Sequence, residues 1–170
     1  MKHHPELTTS LQQAKLSGSN FVAYDATITQ TKGKADTNNC ALRAIAVALD
    51  IPMDEVKAHF SSKGRKYGEG TTTGSIDKFL IGKAERVFAA GGFTTRTAPI
   101  SLQDAITRFN TGRYIFSMRK HLVACIDGVV IDLAGLDINR EYLTVNFSTG
   151  EPIMSRRIEH KVWKAWRANA

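Results

Sequence analysis

The segment KHLVACIDGVVIDLAG, residues 120–135, restricts the fold more than any other. Two apolar, β-branched runs of strand length flank Asp127-Gly128, a dipeptide suited to the left-handed positions of a two-residue hairpin turn. Such a turn fixes the register. Ile126 then faces Val129, Cys125 faces Val130, Ala124 faces Ile131, and Val123 faces Asp132. Alternate positions share a face, so His121 and Asp132 project from one side as diagonal neighbours, about 7–8 Å apart at the backbone. An imidazole and a carboxylate reach each other across that gap. Asp127 sits six positions from His121, roughly 20 Å along a strand at about 3.3 Å per residue, and so belongs to the turn.

The second informative stretch is DTNNCALRAIAVALD, residues 36–50. Asp36, Thr37, Asn38 and Asn39 are four N-cap candidates ahead of an apolar run, which predicts a helix from about Asn39 to Leu49. Leu42, Ile45, Ala46 and Leu49 fall on its core stripe, with Cys40 in the first turn, about 200° around from Leu42. Unpaired backbone N–H groups at a helix start favour an anion, and a thiolate is one. A cysteine placed there has a lowered pKa and serves as a nucleophile, whereas the plainer reading is a small packing residue. A nucleophile needs a base. His59 falls within an apparent helix and His160 in a basic segment, which leaves His121, with Asp132 to orient it. Cys125 reads as a core residue, and His3 and His4 as a solvated, mobile start of the chain.

Elsewhere the coarse pattern is helices first and strands later. FVAYDATITQ alternates like a strand, and PMDEVKAHFSS reads as a helix opening at Pro52. The Gly/Thr-rich stretch YGEGTTTG, residues 67–74, reads as a surface loop, with a cover over a cleft as the other possibility. SIDKFLIGKAERVFAAGG reads as one or two helices, and SLQDAITRF as a short helix with Ser101 as N-cap and Asp104 closing a capping box. From Arg113 onward RYIFSMR, KHLVACI, VVIDLAG and REYLTVNFS read as strands, giving an α+β order.

Composition bounds the function. A chain of 170 residues with 42% hydrophobic and 23% charged residues is the size and balance of one globular domain. Two cysteines are too few for a disulfide framework and leave no zinc site, so neither a metal nor a cofactor is expected. No window approaches the roughly 18–20 apolar residues of a membrane span, and the start MKHHPELTTSLQQ lacks the apolar region of a signal peptide, so a cytosolic protein is expected. The net charge of +7 is densest in residues 151–170, five Lys/Arg against two Asp/Glu, with Trp163 and Trp166 among the cations. That tail suits nucleic acid by charge and stacking. It equally suits a docking helix, because Ile158, Val162 and Trp166 share a helical stripe.

A cysteine opening a central helix, with a histidine and an acid on later antiparallel strands, resembles the papain-like cysteine peptidase superfamily. DTNNCALRA resembles the nucleophile motif of the OTU deubiquitinases, D-G-x-C-x-x-R-A, with one extra residue between Asp36 and Cys40. NCALRA together with GRYIFSMRKHLVACIDGVVID is also similar to small proteins of tailed bacteriophages that share N-C-x-x-R-A and H-x-x-A-x-x-D-G-x-x-x-D patterns. The resemblance spans roughly residues 36–133. It implies a papain-like α+β domain over residues 1–150, with residues 1–35 as an extension, a central Cys40 helix packed on a C-terminal antiparallel sheet, and a basic tail at 151–170. It further implies a thiol peptidase or isopeptidase with Cys40 as nucleophile, His121 as base and Asp132 as orienter, acting on a protein or peptide in the host cytoplasm or a virion. Lys34 stands where papain has its oxyanion glutamine, so Asn38 or Asn39 is the candidate donor, with the Cys40 backbone N–H. Two other readings stay open: an inactive virion structural or cargo protein docking on a virion or host protein through its tail, and a nucleic-acid binder.

Overall fold

The computed structural model describes residues 1–30, 39–66, 68–91, 97–132, 141–145, 152–156 and 161–169. In chain order these form α1 (Pro5–Ser17), β1 (Phe21–Ala23), a 3₁₀ turn (Ala26–Thr29), α2 (Cys40–Leu49), α3 (Met53–Ser62) and α4 (Thr73–Leu80). There follow β2 (Ala84–Ala89), β3 (Ile100–Ser101), α5 (Leu102–Arg108), β4 (Arg113–Met118), β5 (His121–Ile126), β6 (Val129–Asp132), β7 (Glu141–Val145), β8 (Pro152–Arg156) and β9 (Lys161–Ala168). The fold is mixed α/β.

The main sheet has seven strands in the order β1-β6-β5-β4-β9-β2, with β3 also paired to β9. Only β1 runs parallel to its neighbour, β6, so the sheet is mixed and not purely antiparallel. β7 and β8 form a separate antiparallel pair. Strand alternation sends Leu122, Ala124, Ile126 and Ile131 to one face, where they bury against Leu7 of α1, Leu42 and Ile45 of α2, and Phe60 of α3. Val123, Cys125 and Val130 go to the other face and meet Leu102 and Ile106 of α5. α2 is buried nearly all round, from Ala41 to Ala48, because the sheet covers one side and other helices the rest.

Several expectations need correction. The segment read as a basic docking helix is β9, in which Val162, Ala165 and Trp166 are buried between β4 and β2; Ile158 lies outside the described residues. Residues 84–89, read as helical, are β2. FVAYDATITQ holds only a three-residue strand before Asp25 caps the 3₁₀ turn by accepting from the Thr27 N–H at 3.0 Å. The start of the chain contributes α1, whose Leu7, Leu11 and Ala14 join the core.

His4 is also not solvated: it is fully buried. Its Nε2–H donates to the Ala46 and Ile51 carbonyls at 3.2 and 3.1 Å, and its Nδ1 accepts from the Tyr24 hydroxyl at 3.0 Å. These bonds tie the start of the chain to the C-terminal end of α2 and to Ile51 just beyond it. Asp50 fixes the preceding residues, accepting from the Lys2 and His3 N–H groups at 2.7 and 3.0 Å. Burial holds the His4 pKa below its ordinary value, against the opposing pull of the two carbonyls and Asp50. A neutral buried histidine contributes fully above its unfolded pKa of about 6.5, and that contribution is lost as pH falls below it. His4→Gln is therefore expected to cost on the order of 1–3 kcal/mol at pH 8. The gap between wild type and variant should shrink by up to about 1.4 kcal/mol per pH unit below 6.5. Denaturant midpoints across pH measure this, and a pH-independent gap would contradict the buried neutral state.

Candidate active site

The β5–β6 hairpin places the acid and the base. Asp127 (φ 48°) and Gly128 (φ 78°) both take left-handed conformations, as a two-residue hairpin turn requires. The observed pairs are Ala124 with Ile131, Cys125 with Val130 and Ile126 with Val129, matching the register read from the sequence. The Asp127 carboxylate accepts from the Gly112 N–H at 2.9 Å and pairs with Lys15 at 2.9 Å, so it braces the turn far from the histidine. His121 opens β5 and Asp132 closes β6. Their side chains meet with Nε2 and Oδ2 2.5 Å apart, a short charge-assisted contact, and the Asp132 carboxylate is 8% exposed. The Asp132 carbonyl also accepts from the Tyr24 N–H at 2.9 Å, which fixes its backbone.

Helix α2 brings the thiol to this pair. Cys40 is its first residue and lines one cleft with His121, the two groups close enough that each shifts the other's pKa. Nε2 is occupied by Asp132, so Nδ1 is the ring nitrogen left for any other partner. Arg43, the arginine of NCALRA, ties the same turn of α2 to Asp25 through a 3.3 Å ion pair. The motif's arginine thus has a positioning role that the sequence alone did not assign.

The electrostatics follow from these contacts. Burial works against a Cys40 thiolate, but the His121 hydrogen bond, the Leu122 backbone N–H, the His121 charge and the Ala41 backbone N–H together hold its pKa below the ordinary thiol value. His121 moves the other way. Burial disfavours its cation, yet the Asp132 and Cys40 hydrogen bonds and charges raise its pKa to about 9. The two shifts both move the pair toward thiolate and imidazolium. Cys125 behaves oppositely, since burial pushes its pKa up to about 12 and leaves it an unreactive core thiol.

Cys40 and His121 line a cleft of about 490 Å³ with Ala41, Gly70, Thr71, Thr73, Ser117, Met118, Lys120 and Leu122. Gly70, Thr71 and Thr73 belong to the Gly/Thr-rich stretch, which therefore walls this cleft instead of being a plain surface loop. A larger cavity of about 610 Å³ lies among Lys2, His3, Asp50, Glu85, Arg113 and Arg167 and is lined by no cysteine. Of the two oxyanion candidates, Asn38 lies outside the described residues. Asn39 takes the N-cap position of α2 but is 1% exposed, makes no cap hydrogen bond, and is not among the residues lining the cleft. The Ala41 N–H that lowers the Cys40 pKa is one of the helix-start donors expected there, whereas the Leu122 N–H, from β5, is the donor the sequence reading missed. Main-chain donors carry no residue-type signal, so no motif announces them.

Among the described residues no group of three or more His, Cys, Asp or Glu is arranged to hold a metal ion, and no helix is long and apolar enough to cross a membrane. The chain matches no family model, no curated protein and no solved structure.

Proposed function

We propose that the chain is a cysteine-dependent hydrolase of amide or isopeptide bonds, with a papain-like arrangement of nucleophile, base and orienting acid. The observation that carries this reading is His121, fixed by the Asp132 carboxylate at Nε2 and lining the same cleft as the Cys40 thiol at the start of α2. A packing cysteine has no need of an imidazole fixed by a buried carboxylate at its side.

In the proposed reaction the Cys40 thiolate attacks the carbonyl carbon, and backbone N–H groups at the start of α2 hold the charge that develops on oxygen. His121, as imidazolium, gives its proton to the leaving amine and so becomes the neutral base. It then takes a proton from water, which attacks the thioester and releases the acid and the Cys40 thiolate. Asp132 keeps the ring oriented throughout.

The test is acyl transfer from an activated peptide ester, followed by intact mass and peptide mapping. A transient adduct on Cys40, with turnover lost by at least about 1,000-fold in Cys40→Ala, is the expected result. Equal turnover in Cys40→Ala would refute the assignment.

A further inference from the structure

The Cys40 cleft continues beyond the nucleophile. A smaller cavity of about 250 Å³ shares Thr73, Ser117 and Met118 with it and is otherwise walled by Arg119, Trp163 and Lys164. The two form one trough across β5, β4 and β9, which are neighbours in the sheet. Among the described residues its lining contains cations and no carboxylate. Lys164 is already committed to Asp77 at 2.9 Å. Lys120 beside His121, and Arg119 farther along, are exposed and make no ion pair among the described residues. Trp163 is 45% exposed at the far end, while Trp166 of the same strand is buried. In the wall, the Thr71 hydroxyl is buried without a hydrogen-bond partner.

The geometry points to a substrate class: an extended peptide with acidic side chains next to the scissile carbonyl and an apolar side chain about three residues away. This deepens the hydrolase reading above and rests on it. Two strand spacings of about 4.8 Å separate β5 from β9, so His121 and Trp163 lie roughly 10 Å apart at the backbone, a distance an extended chain covers in about three residues. Lys120 and Arg119 then meet carboxylates along that path, and the exposed Trp163 ring receives the apolar side chain.

The probe is the symmetric heptapeptide Leu-Asp-Asp-Gly-Asp-Asp-Leu, which presents the same pattern in either chain direction, with Leu-Lys-Lys-Gly-Lys-Lys-Leu as its control. Binding is measured on Cys40→Ala protein, so turnover does not interfere. The acidic peptide should bind at least about tenfold more tightly than the lysine peptide, with the preference fading as salt rises. Arg119→Glu combined with Lys120→Asn, asparagine being tolerant of the positive φ at position 120, should remove the preference. Trp163→Ala should weaken the acidic peptide several-fold. Equal affinities for the two peptides, or no binding of either at millimolar concentration, would overturn the inference. Failure of the hydrolase reading shows separately, as ordinary thiol reactivity of Cys40 in the wild-type protein.

Discussion

His121→Ala is expected to slow alkylation of Cys40 by iodoacetamide at pH 7 by at least about tenfold, and to lower hydrolysis by about 10⁴-fold or more in kcat. The two readouts differ for a physical reason. Alkylation needs only the thiolate, and an ordinary thiol is still a few per cent ionised at pH 7. Hydrolysis also needs a proton for the leaving amine, and that is the proton the His121 imidazolium carries. The same logic sets the pH profile. With wild type, alkylation should reach its plateau below the ordinary thiol range, because the His121 hydrogen bond and charge depress the Cys40 pKa. Hydrolysis should fall again as pH passes about 9, where His121 loses its proton. In His121→Ala the alkylation curve should move up to the range of a free thiol. Cys125 does not confuse the measurement, since it is buried with its pKa pushed up to about 12. An alkylation curve unchanged by the substitution would remove the dyad.

The second large effect is on stability. Trp166→Ala should cost about 3–5 kcal/mol, because the side chain is 2% exposed, packs in the core with Ile115 and α2, and loses a fixed acceptor. For a chain of this size that is a fall in Tm of about 10 °C. The indole Nε1–H donates to Asp77 of α4 at 3.1 Å, and Lys164 holds the other oxygen of the same carboxylate at 2.9 Å. Asp77→Leu should cost less, about 1–3 kcal/mol, mainly by leaving the buried indole N–H unpaired. Were residues 161–168 a detached basic tail, both substitutions would change stability by no more than about 0.5 kcal/mol. Thermal unfolding decides between the two.

How much of this was legible follows from how local each signal is. The hairpin was readable because turn type, register and face are all set within a dozen residues around Asp127-Gly128, and the proximity of His121 and Asp132 came with it. α2 was readable from its caps and apolar run. The capping box of α5 was also local: Ser101 Oγ accepts from the Asp104 N–H at 3.0 Å.

The errors lie where distant pairing decides. In β9 the strand slips register against β4 near Ser117 and Met118, and against β2 between Arg86 and Phe88. Those irregularities break the two-residue alternation and leave Val162, Ala165 and Trp166 buried, at the i, i+3, i+4 spacing of a helix. β2 carries Ala, Glu and Arg, which favour helix in isolation, and becomes a strand through its pairing with β9. His4 is a similar case. Nothing near it in the sequence signals burial, because its partners Ala46 and Ile51 are more than forty residues away. In the site itself, side-chain identities pointed to Cys40, His121 and Asp132 and the helix start to its own N–H groups, while the Leu122 N–H could emerge only once the helix start and β5 were brought together.

The central claim is that an imidazole fixed by Asp132 keeps Cys40 ionised, and titrating the thiolate by its ultraviolet absorbance tests it most directly. The account predicts one thiolate at neutral pH in the wild-type protein, absent in Cys40→Ser and shifted to the ordinary thiol range in His121→Ala. A wild-type thiol that ionises only in that ordinary range, with or without His121, would contradict it.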